Sequence, residues 1–192
     1  MNQKTANVIS IIGHPILTLP LFVIFILFKF EEPQKALATS AIIIGGVFIP
    51  LAIKTYLGTK KGQYTNYDVS NQKQRQRWYV TAILLLVVVL VALFLTEQSK
   101  TIRGNTVSAF LLLLTAQLMN FYIKSSMHTA FNLFLVFLIL PTSSVFAILY
   151  LGFTFLIAWS RLVLKRHTLK EVVSGAIIGL VFGLISFFTL QN

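Results

Sequence analysis

The chain has 192 residues, of which 56% are hydrophobic and 11% charged, and its mean hydropathy is +0.82. A soluble domain of this size needs far more charge to cover its surface, which argues against a water-soluble globular protein. No cysteine is present, so disulfides, thiolate metal sites and cysteine nucleophiles are excluded. The net charge of +11 has no soluble domain to present it to nucleic acid, and it reads as contact with anionic lipid or a phosphate-bearing substrate.

Apolar runs separated by charged or turn-forming breaks set the organisation, and a membrane-spanning helix needs about 20 such residues. The first run, residues 8–28, is too long for the apolar part of a cleaved signal and is followed by no small-x-small site. It is expected to be a retained span, bent at Pro15 and Pro20. Residues 29–35 lead to a second span at 36–56. The one long polar stretch, 57–77, carries Lys60, Lys61, Asp68, Lys73, Arg75 and Arg77. A third span follows at 78–95, and a charged turn leads to a fourth at 105–123. After the polar stretch 124–128 comes a short apolar run, 129–140, stopped by Pro141. Residues 145–159 return, 160–171 are polar, and 172–190 form the last span.

Only helices satisfy their own backbone in lipid. The expectation is an all-α, polytopic transmembrane helical bundle of six to seven membrane segments, a single domain over residues 1–192. Seven alternating crossings would put the amino terminus and the stretches 57–77, 124–128 and 160–171 on one face. The weak point is the run 129–140, whose 12 residues rise only about 18 Å. Its alternative is a short hairpin with the next segment, with its polar start recessed into the membrane. By this count Lys29, Lys35, Lys100 and Arg103 lie on one face and the other twelve of the 16 Lys and Arg on the opposite one. The positive-inside rule then favours a cytoplasmic site. Setting aside the cations from Lys73 onward, which phosphate binding would explain equally well, leaves Lys4, Lys54, Lys60 and Lys61 against four, and orientation stays open. In the last span Gly175, Gly179 and Gly183 recur every fourth residue, allowing close approach of a neighbouring helix. Packing within the chain is the preferred reading, with a homodimer through these glycines as the alternative.

The polar chemistry gathers in three of these stretches. In 160–171, His167 and Glu171 are four apart and share a helix face. A carboxylate on one imidazole nitrogen leaves the other to act as base or nucleophile. Arg161 offers a planar fork of donors suited to phosphate oxygens. Thr168-x-x-Glu171 reads equally well as a capping box that starts the last helix. In 124–128, His128 is an interfacial histidine by itself; beside Lys124 and Ser126 it becomes a candidate proton donor at a phosphate site. The third stretch, 68–77, reads as headgroup contact, with one or two cations available to an anion cradle. His14, before Pro15, is read as a packing or capping residue.

Together the stretches resemble the phosphatidic acid phosphatase type 2 superfamily, membrane lipid phosphatases related to vanadium haloperoxidases. That family shows Lys-x6-Arg-Pro, then Pro-Ser-Gly-His, then Ser-Arg-x5-His-x3-Asp. Here Ser160-Arg161, five residues, His167, three residues and Glu171 match the third motif with Glu for Asp. Ser126 and His128 match the second, with Ser125 for Pro and Met127 for Gly. The first is degraded: Arg75 is followed by Gln76, and Asp68 stands where Lys is usual. A compact bacterial subgroup has this pattern. The resemblance implies a membrane phosphohydrolase acting on a lipid phosphate or isoprenoid diphosphate. His167 would be the nucleophile of a phosphohistidine intermediate, oriented by Glu171, and His128 the acid. Arg75, Arg161, Ser126 and Lys124 would hold the phosphoryl oxygens. It implies no metal and no other cofactor, and a multi-pass protein of the bacterial cytoplasmic membrane with lipid rather than nucleic acid as partner. A non-catalytic lipid-phosphate binding protein or carrier using the same cradle is the alternative. An ion-coupled transporter is disfavoured, because no Asp or Glu falls in the middle of a span.

Overall fold

A computed structural model describes residues 2–190, with only the backbone of Leu190. Among these residues the chain forms nine α-helices and no strand. They are α1 (Gln3–Ile12), α2 (Pro15–Phe30), α3 (Pro33–Ile43), α4 (Ile49–Lys60), α5 (Gln72–Leu95), α6 (Lys100–Met119), α7 (Met127–Ile139), α8 (Ser144–Val163) and α9 (Leu169–Leu190). A single π-helical turn, Ile44–Phe48, joins α3 to α4. Pro50 has no N–H to give the carbonyl four residues back, and the wider turn lets Ile49 N–H reach the Ile44 carbonyl instead.

Among the described residues five helices are long and apolar enough to cross a membrane: Pro33–Lys60 taken through the π turn, Gln72–Leu95, Lys100–Met119, Ser144–Val163 and Leu169–Thr189. The bent pair α1 and α2 makes up to six. On α5, Leu84, Val88, Val91 and Leu95 are all exposed at three- and four-residue spacing, while Ala82, Leu86, Val89 and Leu93 are buried. Such an outward apolar stripe has no place in water and suits acyl chains. The chain is a multi-pass, all-α membrane protein.

Several boundaries differ from the sequence reading, for local reasons. The first segment begins at Gln3, not residue 8, and its 43° bend lies at Gly13–His14, ahead of Pro15, which opens α2. Proline suits a first helical position because that N–H has no intrahelical partner; α2 then continues through Pro20. Asn71 accepts the Lys73 and Gln74 N–H groups at 3.0 and 3.2 Å and starts α5 there, so Lys73, Arg75 and Arg77 stand on its first turns, not in a loop. Ser126 accepts the Thr129 N–H at 3.4 Å and starts α7 two residues early. Ser160 and Arg161 lie in the last turn of α8, not in the polar stretch that follows it.

The helices sort into two compact units, one of residues 1–19 and 118–192, the other of residues 20–117. In the second unit the α3–α4 span runs antiparallel to α5. Thr39 Oγ1 donates to Gln98 Oε1 beyond the end of α5 at 2.9 Å, Trp78 Nε1 donates to Thr55 Oγ1 at 2.9 Å, and a Cβ on Gly46 would strike Val89. In the first unit α7 and α9 run parallel, with α8 returning between them in sequence. The glycine stripe fits here: a Cβ on Gly175 would meet the Ser126 backbone, one on Gly179 the Ala130 backbone, and one on Gly183 the Phe137 ring. Packing within the chain therefore uses all three glycines. α1 lies antiparallel to α8, with Gly13 against Ile157.

Candidate functional site

The start of α9 and the start of α7 are joined side by side. Ser126 N–H donates to the Glu171 carbonyl at 2.9 Å, and the Ser125 and Ser174 hydroxyls are 2.7 Å apart. The turn that delivers His167 to this place closes α8. Lys165 N–H bonds the Leu162 carbonyl at 3.0 Å and Arg166 N–H the Arg161 carbonyl at 3.1 Å, a Schellman arrangement. Its left-handed position is filled by Lys165 at φ 52°, where glycine is the usual residue. The His167 N–H shares the Arg161 carbonyl at 3.3 Å, so the backbone on both sides of the turn is fixed.

The His167 ring is buried, its side chain only 1% exposed, and its Nδ1 lies 2.9 Å from Glu171 Oε2. A carboxylate only accepts, so Nδ1 carries a proton and donates it. The same Oε2 accepts the Thr168 N–H at 3.1 Å, and Thr168 Oγ1 accepts the Glu171 N–H at 3.4 Å. The capping box and the His–Glu pair, alternatives in the sequence, are therefore both present and share one carboxylate oxygen. Lys124 adds a cation: its Nζ donates to the Arg166 carbonyl at 3.2 Å and lies 3.8 Å from Glu171 Oε2.

Arg161 is fully buried, and one terminal nitrogen donates to Ser10 Oγ on α1. Ser126 is likewise fully buried, its hydroxyl oxygen accepting from the Thr129 N–H and, at 3.1 Å, from Thr129 Oγ1. His128, one residue into α7, is buried, and its ring meets that of His14 edge-on with centroids 4.7 Å apart. His14 caps α2, its Nδ1 accepting the Ile16 N–H at 3.1 Å. Of the sequence candidates, His167, Glu171, Lys124, Ser126, Arg161 and His128 thus all belong to the first unit. Arg75 belongs to the second unit, where it is buried and its Nε donates to the Val69 carbonyl at 3.2 Å.

Three residues of this neighbourhood escaped the sequence reading: Ser10, Asn132 and Tyr150. Asn132 had a usable signal, a lone amide inside the apolar run of α7, four residues after His128. Ser10 and Tyr150 had none, since a hydroxyl in an apolar helix is unremarkable until its partner is known. No protein-family model, characterised protein or solved structure matches the chain.

Proposed function

We propose that the protein is a membrane phosphohydrolase that removes phosphate from a lipid phosphate or prenyl diphosphate through a phosphohistidine, in the cytoplasmic membrane of a bacterium. The observation that carries this reading is the buried His167 with Nδ1 donating to Glu171; in the neutral ring the attacking lone pair is then that of Nε2. Nε2 attacks phosphorus; the P–N bond forms as the bond to the leaving oxygen breaks, and His128 gives that oxygen its proton. Water, giving a proton back to His128, then cleaves the P–N bond and releases inorganic phosphate. Arg161 and Ser126 bind the phosphoryl oxygens and stabilise the charge that develops on them. Lys124 adds positive charge beside Glu171. A tail that stays in lipid explains why the chemistry sits on apolar helices.

The test uses purified protein in vesicles. Phosphate release from a lipid phosphate with EDTA present, an acid-labile phosphoenzyme, and loss of both in His167→Asn are the expected results. Phosphate binding without turnover, unchanged in His167→Asn, would replace this reading with that of a carrier.

A further inference from the structure

Asn132 lies one turn beyond His128 on α7 and is fully buried. Its Nδ2 donates twice, to the His128 carbonyl at 2.7 Å and to the Gly13 carbonyl at 2.8 Å. Its Oδ1 accepts from Tyr150 Oη on α8 at 2.6 Å, which fixes the amide against flipping. One side chain therefore ties together the α1–α2 bend, α7 and α8. The surroundings on α7 are Phe131, Phe134 and Leu135, all buried, so packing alone would have been served by an apolar residue. A polar group in this position is costly in a membrane helix unless it does something specific.

What the amide ties together are the segments that carry two imidazoles. Gly13 precedes His14, and the His128 carbonyl belongs to the other ring's own residue. His14 is held by its cap: with Nδ1 accepting the Ile16 N–H, its ring cannot turn without breaking that bond. The fixed ring then stands edge-on against His128. An imidazole in the first turn of a helix otherwise has several rotamers open to it.

We infer that Asn132 and His14 are positioning residues for His128: the amide holds the bend against α7, and the capped His14 ring fixes the direction in which His128 presents its proton. This rests on the phosphohydrolase reading, in which His128 protonates the leaving oxygen. A misplacement of about 1 Å in such a group costs on the order of 100-fold in rate.

The experiment compares two substrates on the full chain in vesicles. One is an alkyl phosphate lipid, whose leaving alkoxide needs a proton. The other is a nitrophenyl phosphate ester, whose phenolate leaves without one. Asn132→Leu fills the volume but removes both donated bonds. His14→Asn keeps an acceptor for the Ile16 N–H but removes the ring, and His14→Phe keeps a ring but removes the cap acceptor. His128→Asn is the reference. On the alkyl substrate Asn132→Leu and His14→Asn should lower kcat by ~10-fold or more with KM within about twofold, as expected when only a transition-state contact is lost. On the nitrophenyl ester the first-turnover burst of nitrophenol, which precedes the water step, should run near the wild-type rate in both, and His14→Phe, whose ring has lost its cap, should share the alkyl-specific loss. A nitrophenol burst slowed as much as alkyl turnover, or wild-type kcat on the alkyl ester in Asn132→Leu, would overturn the inference while leaving the phosphohydrolase standing. A His128→Asn protein with no alkyl-specific loss removes the acid from His128, and the positioning roles with it. Wild-type protein that releases phosphate from neither ester overturns both proposals.

Discussion

Alanine at Gly175 or Gly179 should separate α7 from α9, and the size of the effect follows from what each new methyl group meets. At Gly175 it meets the Ser126 backbone, and at Gly179 the Ala130 carbonyl and Cα. Backbone cannot swing aside as a side chain can, so α7 must retreat by roughly 1 Å to reach ordinary contact distance. Overpacking of this kind costs about 1–3 kcal/mol, offset by the about 0.5–1 kcal/mol that alanine gains over glycine within a helix. For a chain of this length 1 kcal/mol corresponds to about 2–4 °C, so the net of up to about 2.5 kcal/mol should lower the apparent Tm by up to about 10 °C. Gly152, in α8, is the control: a Cβ there meets nothing within 4 Å, so alanine should raise the Tm by about 1–4 °C. The assay is thermal unfolding in detergent followed by Trp78 and Trp159 fluorescence, with phosphate release measured alongside. The retreat also pulls Ser126 from its bond to the Glu171 carbonyl, so turnover in Gly175→Ala should fall about 100-fold. Gly175→Ala and Gly179→Ala proteins melting as high as Gly152→Ala would refute the reasoning.

Glu171→Gln keeps an acceptor for the Thr168 N–H but not the charge facing His167, so the helix start should survive while phosphate release falls at least ~100-fold; wild-type release would reduce the carboxylate to a cap. Lys165→Gly relieves a left-handed residue and should add about 1 kcal/mol, read as a Tm increase of about 2–4 °C. Ser10→Ala takes an acceptor from the buried Arg161 guanidinium and should cost about 1–3 kcal/mol in the same melting assay. In the loop after α4, burial pushes the Tyr64 phenol above its ordinary value of 10.0, against a smaller opposing effect of Arg77. Folding thus favours the neutral phenol, and its contribution is complete below pH 10 and lost as pH rises through the raised value. Tyr64→Phe should abolish that alkaline part of the stability loss, measured as Tm against pH.

Hydrophobic runs and charged breaks placed the apolar segments within a few residues, because burying about 20 apolar residues in lipid leaves little freedom. What was misplaced depended on single side chains. Asn71 and Ser126 extend helices backwards by capping them, and the first segment bends at Gly13–His14 because Pro15 is at home as the first residue of α2. The third motif was legible since its parts lie within one turn and one helix start, so spacing alone implies the His167–Glu171 contact. The two readings of Thr168-x-x-Glu171 looked exclusive only because a sequence does not say that one oxygen can serve both an N–H and an imidazole. Ser10 against Arg161, and Asn132 against Gly13, join residues more than a hundred positions apart. Nothing local in the sequence announces such pairs.

The shortness of α7 has a consequence for how the protein is made. Its 13 residues rise about 20 Å, less than the about 30 Å hydrocarbon thickness, and it carries buried His128, Thr129 and Asn132. A segment so short and so polar is a poor substrate for insertion by itself, since the Asn132 amide finds its Gly13 and Tyr150 partners only outside α7. Gly13 is already made, but other partners come later in synthesis: Tyr150 on α8, and the glycine face of α9 that receives the Ser126 and Ala130 backbone. Helix α7 is thus expected to reach its final depth only after the ribosome has released α9, which makes the last helix an internal chaperone for the segment that carries His128. Chains arrested after α8 should leave α7 open to water-soluble labelling reagents, and full-length chains should protect it.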